Sequence, residues 1–260
     1  MKLALSTNWN NRRLVRGEEI AAEAKELGFD ALELGFNTTS EQANEILKCG
    51  LLPVESVHAF CPVPLSAPGG YPELYPIASF DEETRAMARF QLKKNIVFAA
   101  QAGATALVVH PGRINRGGLK FFARLRLRRM SEIFAAEMAE LTPELEKNGV
   151  ILGIENMPYL EVFPNVAEME EYCGKWVRPW YDTGHGFVTK EAIGKTKPVG
   201  MHLNDSNGGD DHLPPGEGKV DFKQLSAIIK ETDHLVFEPN ESVTKARLRQ
   251  GMEKIKGIAI

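Results

Sequence analysis

Acidic and imidazole side chains recur along this chain directly after short apolar segments, where they can bind metal ions or transfer protons. Histidine ends two of these segments, at His58 and His110. Four further segments end in Glu155, Asp182, His202 and Glu238. Converging carboxylates repel one another unless a cation or a proton compensates them, and mixed carboxylate and imidazole ligands suit Mn, Zn, Fe or Co. The pattern therefore predicts a divalent-metal centre where these segments meet.

Three more candidate ligands lie close to these positions. His185 follows Asp182 by three residues. Asp210 and His212 are two residues apart, a spacing that puts both side chains on one side of an extended segment. Prolines and glycines after His212 stiffen the segment and turn it back. We predict that these residues join the same site, and a turn-rich surface loop is the alternative for the segment.

The candidate ligands follow predicted strands that alternate with helical patterns through the whole chain. Such alternation indicates a parallel sheet, and eight repeats predict an α/β fold of the (β/α)8, or TIM barrel, type. Helical patterns include Gly17–Leu27, Glu82–Ala102 and Met130–Lys147, and several end at a glycine such as Gly28 or Gly149. The predicted strands are Lys2–Ser6, Ala31–Gly35, Pro53–His58, Ala106–His110, Val150–Glu155, Arg178–Asp182, Val199–Leu203 and Leu235–Glu238.

A single domain over residues 1–260 accounts for this arrangement. The rival is an open doubly wound sheet, which needs fewer strands, and no glycine-rich phosphate loop follows the first strand. One connection is unusually long: residues 61–81 contain five prolines and the pair Gly69-Gly70. Long loops without regular structure are often functional, so we predict a lid over the carboxyl-terminal face, with a plain surface insertion as the alternative.

The composition disfavours nucleic acid as a partner, because the net charge is −4 and the pI is near 5.9. One basic stretch is the exception. We interpret it as a solvated helix face, and contact with DNA, a phosphorylated substrate or a second subunit is the alternative. The stretch comprises Lys120, Arg124, Arg126, Arg128 and Arg129.

The cellular setting that the sequence predicts is the cytoplasm. Three widely spaced cysteines argue against a disulfide framework. No apolar segment approaches the ~20 residues that a membrane span needs, and the polar segment Thr7–Asn10 follows too soon for a signal peptide. A monomer and a homo-oligomer both fit the sequence.

Together, the candidate ligands and the segments HLND (202–205) and DDHLPPGEG (210–218) resemble the xylose isomerase-like TIM barrel superfamily. The resemblance covers about His58 to Glu238. The superfamily includes sugar and sugar-phosphate isomerases and epimerases, and also the endonuclease IV family of DNA repair enzymes. In the epimerases one metal is held by two glutamates, an aspartate and a histidine. The matching residues here are Glu155, Asp182, His202 and Glu238. His185 and Glu161 are similar to residues that contact substrate in that branch.

The ligands of the endonuclease branch also have matches here. In that family nine residues hold three zinc ions, and this sequence has a matching residue at each of the nine positions. They are His58, His110, Glu155, Asp182, His185, His202, Asp210, His212 and Glu238. The tyrosine that this branch inserts into DNA is replaced by Cys61, and the proline-rich loop also differs. Glu161 favours the epimerase branch.

The function that we predict is an isomerase or epimerase acting on a small sugar, keto-polyol or sugar phosphate. A Mn, Zn, Co or Mg ion would stabilise an enediolate, with Glu155 and Glu238 transferring the proton and His185 and Glu161 orienting substrate hydroxyls. The main alternative is a metal-dependent phosphodiesterase that cleaves abasic DNA. A third hypothesis is a barrel that binds a metal or sugar without catalysis. Such a barrel should have lost some of these ligand residues, and none is missing here.

Overall fold

Eight parallel strands close into a barrel in chain order in the computed structural model, which describes residues 1–64 and 71–258. Each strand pairs with the next, and the first pairs with the last. This confirms the predicted (β/α)8 barrel. The strands are β1 (Ala4–Ser6), β2 (Ala31–Leu34), β3 (Val54–His58), β4 (Ala106–Val109), β5 (Ile151–Glu155), β6 (Val177–Asp182), β7 (Gly200–His202) and β8 (His234–Phe237).

Helices follow the strands and cover the outside of the barrel. The main apolar core lies between the strands and these helices. The first predicted helix, Gly17–Leu27, is observed unchanged and ends at Gly28, whose φ of 93° is the left-handed conformation that glycine tolerates. The helices are α1 (Gly17–Leu27), α2 (Ser40–Cys49), α3 (Glu82–Gln101), α4 (Lys120–Asn148), α5 (Val166–Met169), α6 (Thr183–Thr189), α7 (Ser226–Glu231) and α8 (Lys245–Ile258).

Helix α4 begins ten residues before the predicted start at Met130. Its fully buried positions also begin at Met130, and in the earlier turns Leu127 is the apolar side chain that packs, partly buried, against the core. Phe121, Phe122 and Leu125 are exposed there. Apolar periodicity detects only the part of a helix that packs against a core, which explains why the first turns were missed.

The proline-rich connection is described only in part, because residues 65–70 lie outside the described residues. Its role as a lid therefore stays a prediction. The connection ends at Asp81, whose carboxylate accepts a hydrogen bond of 2.7 Å from the Thr84 amide and thereby caps α3. Among the described helices, none is long and apolar enough to cross a membrane.

Trp180 fills the inside of the barrel. Its ring stacks over His234, at the amino end of β8, with centroids 6.1 Å apart, and meets His202 edge-on at 5.3 Å. Small side chains surround the indole, and Gly153 and Gly200 leave room for it. The side chains that pack with it are Ala4, Ala31, Ala106, Val108, Val199 and Val236. The indole thus forms an apolar floor below the carboxyl ends of the strands.

We predict that Gly200→Ala destabilises the barrel, because a Cβ atom at this position would lie 2.1 Å from the Trp180 ring. Crowding of this kind costs about 1–3 kcal/mol of the free energy of unfolding, which urea titration measures. Gly174→Ala is the matched control, since a Cβ atom there meets nothing within 4 Å. Equal stability of the two variants would contradict the packing described for Trp180.

Candidate metal centre

Four predicted ligands meet at the carboxyl-terminal end of the barrel and are called the central group: Glu155, Asp182, His202 and Glu238. Three of them are the last residues of β5, β6 and β7, and the fourth directly follows β8. One potential ligand atom from each lies within 4.8 Å of the others. His202 Nδ1 is 2.9 Å from Glu155 Oε1 and 3.3 Å from Glu238 Oε2. Parallel strands bring their ends to one rim, so the strand pattern produces this convergence.

A second set, the histidine pair group, shares one carboxylate with the central group. It consists of His58, which ends β3, His110, which follows β4, and Glu155. Glu155 Oε2 is 3.1 Å from His58 Nε2 and 3.3 Å from His110 Nε2. The other oxygen, Oε1, faces His202. Glu155 therefore lies between the two groups, with one oxygen directed to each.

The loop group consists of His185, Asp210 and His212. Asp210 Oδ1 is 3.2 Å from His185 Nε2 and 3.0 Å from His212 Nε2. The long loop after β7 reaches the rim because Asp205 and Leu213 form an antiparallel bridge. The buried Asp205 carboxylate also accepts hydrogen bonds from three backbone amides within this loop. The structure thus brings together all the predicted histidine, aspartate and glutamate ligands.

The buried carboxylates of this region have histidines as their ionic partners. In the described part of the chain, every ion pair of Glu33, Glu155, Asp182 and Glu238 is with a histidine. Isolated buried carboxylates are costly, and a histidine must give up its extra proton to bind a metal, so it then brings no positive charge. A divalent cation would supply the missing charge, and three carboxylates with one imidazole nitrogen are a donor set that such a cation accepts. The residues of the central group therefore fit a divalent metal.

Contacts between the carboxylates and the histidines lower the pKa of Glu155 and raise the pKa values of His110 and His212. Burial alone would raise the pKa of Glu155, but His202, His110 and His58 together hold it well below its usual value. Burial alone would lower the pKa of His110, but Glu155 and Glu73 raise it to about 9. Likewise, Asp210 and nearby carboxylates outweigh burial and raise the pKa of His212 to about 10. Without a bound cation, protonated histidines therefore balance the carboxylates.

A cleft of about 500 Å³ opens above these groups. Glu238, His110 and the whole loop group line it, whereas Glu155 lies deeper and is 1% exposed. The remaining lining has ten uncharged side chains and four charged ones. The uncharged side chains are Asn8, Asn37, Asn240, Phe36, Tyr71, Pro72, Met157, Pro158, Tyr159 and Pro239. The charged ones are Arg12, Glu73, Arg113 and Glu241.

One wall of the cleft joins the end of the proline-rich connection to the loop after β5. Glu73 Oε1 accepts a hydrogen bond of 2.5 Å from the Tyr159 hydroxyl and lies 3.8 Å from His110 Nδ1. Arg113 stacks over the Tyr159 ring at 4.0 Å. Loop residues such as these carry no periodic signal, so Glu73 and Tyr159 could not be identified from sequence patterns.

Glu33, Asn156 and Asn204 are buried polar residues that the sequence analysis also missed. Glu33 on β2 contacts His202, and an acid inside an apolar strand was the signal that could have identified it. Asn156 binds both the backbone amide and the carbonyl of Asp182. Asn204 donates to Asp182 Oδ2 at 2.5 Å and lies 3.0 Å from His212 Nδ1. The two asparagines thus hold Asp182 through hydrogen bonds.

Glu161 is the one predicted site residue that belongs to none of the three groups and does not line the cleft. Its side chain is exposed, and its backbone carbonyl accepts a hydrogen bond of 2.6 Å from the Ile114 amide. The adjacent bridge between Arg113 and Val162 holds this turn at the edge of the molecule. Contact between Glu161 and a substrate stays a prediction without support from the geometry.

The basic stretch lies on the first turns of α4, and none of its members lines the cleft. Arg128 pairs with Glu132 on the same helix at 3.1 Å, and Arg126 donates to the Asn115 carbonyl at 3.2 Å. The interpretation of the stretch as a solvated helix face stays a prediction.

The chain belongs to the xylose isomerase-like TIM barrel family, whose profile matches residues 21–258. This confirms the resemblance that was inferred from the strand-end ligands. A comparison with functionally curated proteins gave no match.

Several solved structures have the same barrel. A D-tagatose 3-epimerase-like protein is 21% identical, with a TM-score of 0.72 over 100% of both chains. The 3-keto-D-glucoside 4-epimerase YcjR from E. coli is 18% identical, with a TM-score of 0.74 over 99% of both chains. The IolI protein, solved with a zinc atom, is 16% identical, with a TM-score of 0.73 over 100% of this chain and 98% of its own. At these identities the likeness establishes the fold alone.

The raised histidine pKa values predict how the stability of the metal-free protein depends on pH. A histidine whose pKa is higher in the folded state stabilises it fully below its unfolded pKa of about 6.5. This contribution is lost as the pH rises through the folded values of about 9 for His110 and about 10 for His212. Urea unfolding in excess chelator should therefore show stability falling from pH 6.5 to pH 9.5. His110→Asn and His212→Asn should each flatten the slope, and a flat wild-type profile would refute the assignment.

Proposed function

We propose that this protein is a metal-dependent isomerase or epimerase of a small sugar, keto-polyol or sugar phosphate. The observation that carries the proposal is the position of Glu238, which belongs to the central group and also lines the cleft. A substrate in the cleft would therefore meet a carboxylate and the edge of a metal centre at the same point. That combination serves proton transfer at a carbon next to a carbonyl.

The lining of the cleft supports a polyhydroxylated substrate. Its amides, Asn8, Asn37 and Asn240, can donate and accept hydrogen bonds, and the aromatic rings of Phe36 and Tyr159 can pack against the apolar face of a sugar. Two proteins of the same fold are a D-tagatose 3-epimerase-like protein and a 3-keto-D-glucoside 4-epimerase. Both names agree with the class of substrate that the lining favours.

Glu155, Asp182, His202 and Glu238 would hold the cation. When bound, it supplies Lewis-acid polarisation of a carbonyl and a neighbouring hydroxyl, which acidifies the C–H bond next to the carbonyl. Zinc, manganese, cobalt and magnesium are the candidates, and the imidazole favours the first three.

The protein's own groups then move the proton. Glu238 Oε1 accepts a hydrogen bond of 3.1 Å from Asn8 Nδ2, and this bond holds the carboxylate in the lining of the cleft. Glu155 approaches from β5, on another side of the central group, so we assign the two glutamates to removing and returning the proton. His185 Nδ1 lies 2.8 Å from the Asn156 carbonyl, and Nε2 lies 3.2 Å from Asp210 Oδ1. These contacts hold the ring of a residue that lines the cleft, so we assign His185 to orienting a substrate hydroxyl.

Replacing either glutamate should abolish most of the turnover. Glu238→Gln and Glu155→Gln each remove a ligand charge together with a proton acceptor, and loss of general acid–base catalysis alone costs roughly 100-fold or more in kcat. Steady-state kinetics after reconstitution with Mn²⁺, Co²⁺ or Zn²⁺ gives the readout. Glu140→Gln, an exposed carboxylate on α4, is the matched control. Near wild-type kcat in either site variant, with metal still bound, would show that the acid–base assignment is wrong.

A metal-dependent phosphodiesterase for abasic DNA is the second candidate. The observation that favours it is that the nine residues of the endonuclease ligand pattern fall into the three groups, so three ions could be held. Two observations oppose it. Cys61, which stands where the endonuclease family has its DNA-inserting tyrosine, is completely buried, and the basic stretch lies outside the cleft.

Isotope exchange separates the two candidates. Proton transfer next to a carbonyl should incorporate deuterium from D₂O into a processed ketose or ketose phosphate, which NMR or mass spectrometry detects at that carbon. A phosphodiesterase has no such step and should nick DNA at an abasic site, with affinity falling steeply as salt rises. We expect deuterium incorporation and no nicking. Chelator-sensitive nicking by the wild type that is lost in Glu155→Gln, with three ions per chain by anomalous scattering, would reverse the ranking.

A further inference from the structure

Glu33 is a fully buried carboxylate inside the barrel, although it belongs to no group of candidate ligands. It lies on β2, where its register neighbours are Ser6 on β1 and Ser56 on β3. Ser56 Oγ donates a hydrogen bond of 2.8 Å to Glu33 Oε2. The only ionic partner that the described residues provide for Glu33 is His202.

His202 is held between Glu33 and the central group by its two ring nitrogens. Nε2 lies 3.3 Å from Glu33 Oε1 and 3.4 Å from Oε2. On the other side, Nδ1 faces the carboxylates of the central group, the nearest being Glu155 at 2.9 Å. The ring stacks on His58 with an interplanar angle of 8° and meets Trp180 edge-on, so it has little freedom to turn over.

The two nitrogens of a neutral imidazole differ, because one carries a hydrogen and the other a lone pair. Only a nitrogen with a lone pair can bind a metal, and in this geometry that nitrogen must be Nδ1. The hydrogen must then be on Nε2, where an acceptor is needed. Glu33 is an ionised acceptor at this position, and burial without a partner would be costly for it.

We propose that Glu33 is a positioning residue: it accepts the hydrogen of His202 Nε2 and so keeps Nδ1 available to a metal in the central group. This inference rests on the metal centre of the proposed function. A carboxylate behind a histidine ligand also makes the imidazole a stronger donor, and such partners commonly change metal affinity by about 10- to 100-fold.

Glu33→Gln tests the role of the carboxylate with little change in shape. A glutamine has no negative charge, and its amide can donate to Nε2, which would favour the tautomer with hydrogen on Nδ1. The dissociation constant for Zn²⁺ is measured by competition with a chromogenic chelator on the chelator-stripped full chain. We expect affinity to fall at least ~10-fold relative to wild type, with unchanged circular dichroism.

Glu55→Gln is the matched control. Glu55 also lies on a barrel strand and also faces a histidine, with Oε2 3.9 Å from His234 Nδ1, but it belongs to no ligand group. Its zinc affinity should equal that of the wild type. Equal affinities of Glu33→Gln and wild type would overturn the role of Glu33 and leave the metal centre intact. Absence of zinc binding by the wild type would overturn the metal centre itself.

A second measurement needs no variant. Long-range ¹H–¹⁵N NMR of the zinc-loaded wild type distinguishes an imidazole with hydrogen on Nε2 from one with hydrogen on Nδ1. We expect His202 to carry its hydrogen on Nε2, with the ¹⁵N shift of Nδ1 displaced by the metal. Hydrogen on Nδ1, or metal on Nε2, would overturn the proposal even if Glu33→Gln did not fold.

Discussion

The compensation of buried carboxylates by histidines is the constraint on which the functional end of this barrel depends. Glu33, Glu155 and Asp182 are at most 1% exposed, and their ionic partners among the described residues are imidazoles. A set of this kind is stable only while protons or cations balance it. Protonated histidines can fill this role in the metal-free protein, and a divalent cation can replace them. The same residues therefore join folding to ligand binding.

The floor below these charges is apolar and closely fitted, and this makes their arrangement rigid. Trp180 occupies the inside of the barrel against Gly153 and Gly200, and its edge meets the ring of His202. Because the indole is closely packed, the His202 ring has no space to move down into the barrel and away from its carboxylate partners. Above the floor, Asn156 and Asn204 orient Asp182 through hydrogen bonds. Contacts within the protein therefore hold the candidate ligands in place.

The strands, and the convergence of the candidate ligands at the rim, could be predicted from the sequence because both follow from local patterns. A buried parallel strand is a short apolar segment, and its last residue faces the rim, so His58, Asp182 and Glu238 could be identified directly. Glu33 could not, since its role depends on a partner 169 residues away. The pairing of Glu73 with Tyr159 joins two loops without periodicity. Glu161 matched a family position, but its turn directs the side chain outwards.

Glu155 is shared between the histidine pair group and the central group. One of its oxygens faces the histidine pair group and the other faces the central group. A cation held by His58, His110 and Glu155 would use the same carboxylate that the central group would use. Glu155 would then be less available to accept a proton than Glu238, which also lines the cleft.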